Sequence, residues 1–258
     1  MENPSMEDMA KLAQASYQMG EKGVKKDKRL ENTQNIATDT GYVVNPKYSN
    51  SEITTYQHKD NPKNVVIAHR GTKVDGRRGM KDIQNDLAFA IGLGGHELTF
   101  KRRKRKTNDI IKALDPEQLH MTSHSLGGAT AQHTIANSNK VRKKLTSAMT
   151  FNAAAHPVFD NDIKVSKKYK KELEDKVTHH RIKNDPVSMG FKTNVPFGKV
   201  KTHSIKHDPD KGKSIFQNIV EKSTLLGQAK RFTEKGLYAH AIGHFHSGAI
   251  KKKKKNKK

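Results

Sequence analysis

Residues 119–137 constrain this chain more than any other stretch. A short apolar run at 119–122 has the length of a buried strand, and a helical pattern opens at Leu126 and continues to about Asn137. Between them stands Ser123-His124-Ser125-Leu126-Gly127-Gly128. A serine among small residues at a sharp strand-to-helix turn is the pattern of a nucleophile elbow. Strand and helix backbones approach each other closely there, so the positions two before and two after the serine must be small. Gly127 meets that need, and Ser123 stands where the pattern usually has glycine. A helix starting at Leu126 would aim backbone N–H groups and its positive dipole end at Ser125, which suits a developing oxyanion.

The remaining patterns extend this unit into an alternating fold. Residues 5–17 read as a helix opened by a Ser5/Asp8 capping box, with Met6, Met9, Leu12, Ala13 and Tyr17 as a core-packing stripe and Gly20 as its stop. The stretch 22–64 is polar, with β-like pieces at 41–44 and 52–56. Residues 64–68 form a compact strand ending at His69, Arg70, Gly71 and Thr72. Helices are expected at 82–91 and 108–114, separated by the glycines at 92, 94 and 95 and a basic run at 101–106. Strands at 148–152 and 177–183 flank a charged helix at 164–175. Strands alternating with helices indicate an α/β fold with a mostly parallel central sheet flanked by helices. The expected organisation is one domain over 1–250, with 1–60 as a helical and polar extension packing on it and 251–258 as a basic disordered tail.

The length of 258 residues holds one domain of this kind comfortably. The absence of cysteine excludes disulfides, thiolate metal sites and cysteine nucleophiles. No run approaches ~20 apolar residues, and Glu2, Glu7 and Asp8 interrupt the layout of a secretory signal, so an intracellular location is expected. The formal net charge is +24, and it is still +11 without the seven lysines of 251–258 and the six bases of 101–106. Such a field attracts anionic lipid or nucleic acid without choosing between them. No aromatic residue is interleaved with either basic run as a base-stacking surface requires, and a solvated charge run is the plainer reading.

Beyond the elbow, Val65-Val66-Ile67-Ala68-His69-Arg70-Gly71-Thr72, Thr150-Phe151-Asn152 and Arg181-Ile182-Lys183-Asn184-Asp185-Pro186-Val187 follow one another in a familiar order. Together they resemble the class 3 (fungal-lipase-like) lipases of the α/β-hydrolase superfamily over roughly residues 60–246. The His-Arg-Gly-Thr form and basic character are similar to lipase-like proteins of large DNA viruses, which would place the protein in a host cell or virion. The departures are Ser123 and Asn152 in place of glycine and little room for an extended lid.

The resemblance implies Ser125 as nucleophile, with oxyanion donors from the backbone of Thr72 and Leu126, while Arg70 ties down the loop. A serine hydroxyl needs a histidine to take its proton, and the histidine needs a carboxylate to fix its tautomer. Asp185 fills the acid position, and the chain order Ser, Asp, His places the base later. His203, His207, His240, His244 and His246 all qualify. His240 fits the family layout of a histidine before a short helix, and His203 is its nearest rival. The implied activity is hydrolysis of carboxylic esters of lipids, acylglycerol or phospholipid, through an acyl-enzyme and without a metal or organic cofactor. The lipid ester would be the partner, with peripheral contact to an anionic membrane, or nucleic acid held by the basic runs. The alternative is a catalytically inactive hydrolase fold binding nucleic acid or anionic surfaces by charge.

Overall fold

The computed structural model describes residues 3–71, 95–154, 167–183, 185, 188, 197–204, 242–247 and 250. In chain order the helices are α1 (Met6–Ala15), α2 (Lys26–Ala37), α3 (Gly95–Leu114), α4 (Leu126–Asn137), α5 (Asn139–Lys144) and α6 (Lys167–Lys176). The strands are β1 (Tyr42–Val44), β2 (Ile53–His58), β3 (Asn61–His69), β4 (Gln118–His124), β5 (Leu145–Phe151), β6 (Val177–Ile182) and β7 (Lys199–His203).

These strands make one seven-stranded sheet whose spatial order follows the chain. The β1–β2 and β2–β3 pairings are antiparallel, and every later pairing is parallel. Parallel crossovers are right-handed, so strands added successively in one direction deliver their connecting helices to one face. That face is built from Val65 and Ile67 of β3, Leu119 and Met121 of β4 and Ala148 of β5. Against them pack Ile110 and Ile111 of α3, Ala131 and Ile135 of α4, Val141 of α5 and Leu173 of α6.

The opposite face needs a separate cover, and α1 supplies it. Its Met9, Ala10, Leu12 and Ala13 pack with Val66 and Ala68 of β3, Phe151 of β5, Ile182 of β6 and Phe245. The alternation of Val65 and Ile67 against Val66 and Ala68 is the period of two in a strand buried on both faces. The Ser5/Asp8 capping box starts α1 as expected, each residue bonding the other's backbone amide. The hydroxyl of Thr122 donates to the carbonyl of Met9 at 2.8 Å, fixing α1 along β4.

Three local expectations need correction. Helix α2 lies in a stretch read as polar with β pieces only; it buries just Thr33 and Ala37, so it carries no apolar stripe. Strand β7 also escaped notice, because most of it is exposed and two of its five residues are lysines. The short helix expected at 108–114 is the end of a 20-residue helix, α3, which begins at the glycines taken as a break and carries the basic run within it. Lys and Arg are good helix formers, and three of these bases are not simply solvated: Arg102, Arg103 and Lys106 converge on Glu52. Burial would raise the Glu52 carboxyl, but bonds from Arg102 and Lys106 and the charge of Arg103 outweigh it and bring it to about 2. The helix expected at 82–91 and the tail at 251–258 lie outside the described residues.

Candidate active site

Strand β4 ends at His124, and α4 begins at Leu126, leaving Ser125 as the whole turn. Ser125 has φ 56° and ψ −131°, a conformation that a residue with a side chain adopts only under constraint. Three backbone bonds supply the constraint. Its N–H donates to the carbonyl of Phe151 at 3.1 Å, and its own carbonyl accepts from Gly128 at 2.8 Å and Ala154 at 3.0 Å. Its side chain makes no capping bond to α4.

The small residues after the serine are set by contact. A carbon added at Gly127 would lie 2.1 Å from the His69 carbonyl oxygen, and one at Gly128 would lie 2.3 Å from Cβ of Ala153. On the other side, a carbon added at Gly71 would lie 3.2 Å from Cβ of Ser125 and 2.6 Å from the carbonyl oxygen of His124. The end of β3 therefore runs directly against the elbow. Ser123 is fully buried, and among the described residues its hydroxyl has no hydrogen-bond partner. Its Cβ is thus accommodated in place of the usual glycine, at the cost of one unsatisfied hydroxyl.

Asp185 follows β6 and is fully buried. One of its carboxylate oxygens accepts the Ser188 N–H at 2.9 Å, and its own N–H donates to the carbonyl of Ile182 at 3.1 Å. Leu126 is buried at the first position of α4, where its N–H has no partner within the helix. Thr72 and His240 lie outside the described residues, so the structure brings together the elbow and the strand ends but says nothing of those two.

A family model for the Tle-like phospholipase domain, described as phospholipase-like, matches residues 8–232. The chain belongs to this family. It is therefore a lipase/esterase-type hydrolase with an α/β-hydrolase fold, acting on lipid esters. The match does not support an inactive charge-binding protein. Among solved structures, this Tle-like phospholipase domain is similar to lipase II from Rhizopus niveus, with 14% identity, coverage of 86% of this chain and 92% of that chain, and a TM-score of 0.49. It is also similar to a mutant form of MDLA from Penicillium cyclopium, with 18% identity, 79% of each chain covered and a TM-score of 0.45. A triacylglycerol lipase whose catalytic centre is described as a serine protease triad gives 15% identity, coverage of 86% and 91%, and a TM-score of 0.47. No curated protein matches the sequence.

Two of the rival histidines, one inside this Tle-like phospholipase domain and one beyond its matched residues, have other engagements. His203 on β7 hydrogen-bonds His180 at 2.9 Å, with the two rings stacked. His246 pairs with Gln14 of α1. His207 lies outside the described residues, as does the side chain of His244. On β6, His179 bonds Thr150 and the Phe197 carbonyl, whereas His180 bonds His203, so the adjacent pair faces opposite sides of the sheet. Asn152 explains its departure from glycine: its φ is 43°, in the left-handed region that Asn tolerates better than most residues, and its side chain accepts the Ile182 N–H at 2.8 Å.

Sequence reasoning missed the group behind the elbow. The phenol of Tyr17 lies 2.8 Å from Nδ1 of His124 and packs directly against Gly71, where it leaves no room for a side chain. Arg103 donates to the carbonyl of Arg70 at 2.7 Å and to the hydroxyl of Thr130 at 3.1 Å. Sequence pattern alone makes Tyr17 part of a core stripe and Arg103 part of a charge run. No local pattern separates those roles from the ones observed.

Proposed function

We propose that this domain cleaves carboxylic ester bonds of phospholipids through a Ser125, His240 and Asp185 triad. Acylglycerols present the same scissile carbonyl; the phospholipase-like family match favours the phospholipid. The backbone of Ser125, held at φ 56° on a turn between a parallel strand and a helix, is the observation that carries this reading.

In the first step the Ser125 hydroxyl attacks the ester carbonyl while His240 takes its proton. The negative charge that forms on the carbonyl oxygen is met by the N–H of Leu126 and that of Thr72. Collapse of the tetrahedral intermediate breaks the bond to the alcohol, which leaves with the proton from His240, and an acyl group remains on Ser125. Water then attacks the acyl group, His240 accepts its proton, and the fatty acid departs as Ser125 recovers its hydrogen. Asp185, buried away from water, stabilises the imidazolium and fixes its tautomer.

The charge of +24 supports peripheral contact with an anionic membrane. Exposed bases on α3, α5 and α6 lie on the same layer of the domain, including Lys101, Arg105, Lys140, Lys143, Lys168 and Lys171.

The test is labelling with a fluorophosphonate and fatty-acid release from phosphatidylglycerol vesicles, with Ser125→Ala beside the unaltered protein. Labelling and release that both vanish in the variant support the reading. Release that survives the substitution rejects Ser125 as nucleophile. Release from phosphatidylcholine vesicles equal to that from phosphatidylglycerol would reject the role of charge.

A further inference from the structure

The peptide group joining Gly127 to Gly128 is bonded at both ends. Its N–H donates to the carbonyl of Ser125 at 2.8 Å, and its carbonyl oxygen accepts the hydroxyl of Thr130, further along α4, at 2.8 Å. That hydroxyl is also the meeting point of two other elements. The Arg103 guanidinium of α3 donates to its oxygen at 3.1 Å, and Nδ1 of His69, the last residue of β3, lies 3.1 Å from it. The same Arg103 nitrogen donates to the carbonyl of Arg70 at 2.7 Å, and Nε2 of His69 lies 3.0 Å from the hydroxyl of Thr107 on α3. Thr130, His69, Arg103 and Thr107 are all buried. The contacts therefore run from β3 and α3, through one hydroxyl, to the peptide that holds the Ser125 carbonyl.

We infer that Thr130 is a positioning residue for the nucleophile: its hydroxyl locks the first turn of α4 to the end of β3 and to α3, and so keeps Ser125 in its strained conformation. This rests on the reading of Ser125 as nucleophile. The backbone of Ser125 has φ 56°, and a residue with a side chain stays there only where its surroundings hold it. A hydroxyl has one proton and two lone pairs. With the proton of Thr130 on the Gly127 carbonyl, both lone pairs accept, one from Arg103 and the other from His69. His69 is thereby the tautomer protonated at Nδ1, and its Nε2 takes the proton of Thr107, whose other acceptor is the carbonyl of Arg103 at 2.9 Å. Small displacements of a nucleophile slow the chemical step more than they weaken substrate binding, so the loss of this hydroxyl is read in turnover.

Thr130→Val keeps the shape of the side chain and removes the hydroxyl, whereas Thr130→Ser keeps the hydroxyl. With a soluble p-nitrophenyl ester, Thr130→Val is expected to lower kcat by about tenfold or more with KM within about twofold, and to slow fluorophosphonate labelling in parallel. Thr130→Ser should stay within about threefold of the unaltered protein. Thr33→Val removes another buried hydroxyl, one bonded to the Arg29 carbonyl within α2, and should leave kcat unchanged. Unchanged kcat in Thr130→Val, a rise in KM alone, or an equal fall in Thr33→Val overturns the inference. Should Thr130→Val melt below the assay temperature, heteronuclear NMR of the histidine rings in the unaltered protein decides. His69 protonated at Nδ1 supports the inference; protonation at Nε2, which would draw the Thr130 proton away from Gly127, rejects it. Ser125→Ala in the same assay separates the two ideas. Activity surviving there removes the nucleophile reading, whereas loss there with normal turnover in Thr130→Val removes only the role of Thr130.

Discussion

The backbones of His69 and Gly127 are in contact: a carbon placed on Gly127 would lie 2.1 Å from the carbonyl oxygen of His69 and 2.9 Å from the carbonyl carbon of Arg70. The end of β3 thus rests on the first turn of α4, and the two parts of the proposed oxyanion site are joined through main chain. Backbone cannot swing aside as a flexible side chain can, so this contact makes the elbow glycine a geometric requirement. It also makes the strain at Ser125 sustainable, because a turn packed on both sides has no relaxed alternative within reach.

That strain yields a prediction. Ser125→Gly and Ser125→Ala should both abolish ester turnover, but glycine should be the more stable of the two by about 1 kcal/mol, since it adopts a positive φ at no steric cost. Thermal unfolding of the two variants measures the difference. Equal or reversed melting temperatures would mean that the turn stores little strain.

Asp185→Asn should fold normally, because the amide oxygen can still accept the Ser188 N–H, yet lose about four orders of magnitude in rate by orienting the histidine in the wrong tautomer. The measurement is kcat on a soluble ester alongside a melting curve. Near-normal turnover would assign the acid to another residue.

Ser123→Ala removes a buried hydroxyl that has no partner among the described residues. Stability should rise by about 1 kcal/mol, because that group is desolvated without a compensating bond. Activity should be retained, since the side chain points to the helix-covered face with Leu119 and Met121. A clear loss of activity would reveal a role for the hydroxyl that the folded geometry does not show.

Acidification should destabilise the fold from near neutrality downward. Burial pushes His69 and His180 down to about 3 and His179 and His120 to about 4. Below the ordinary histidine value of 6.5 the unfolded chain binds protons that the folded chain refuses, so stability is full above pH 6.5 and falls as pH drops towards 4. Each such histidine contributes up to about 1.4 kcal/mol per pH unit across that window. Glu52 adds a loss of the same sign at lower pH, as its carboxyl is protonated between the ordinary 4.5 and about 2. A melting temperature that stays constant between pH 7 and 4.5 would contradict this account.

Local chemistry determined most of the elements. The capping box at Ser5 and Asp8, the doubly buried runs of β3 and β4 and the small residues after Ser125 each follow from a few neighbouring side chains, and the strand-turn-helix order made the elbow legible. Helix α2 and strand β7 were not legible, because neither presents an apolar face for a periodic pattern to reveal. The family resemblance assigned Asp185 and Leu126 to the site; the fold buries both, the former beyond β6 and the latter at the start of α4. Only the tertiary structure decided what surrounds them. Tyr17 and Arg103 are separated from Gly71 by more than thirty residues in the case of Arg103 and more than fifty in that of Tyr17. They reach the same stretch, Arg103 bonding the carbonyl of Arg70 and Tyr17 packing on Gly71, because α1 and α3 cover opposite faces of the sheet and both reach the carboxyl end of β3. A hydrogen bond across such a distance depends on how the layers are stacked, and nothing in the local sequence of either residue encodes it.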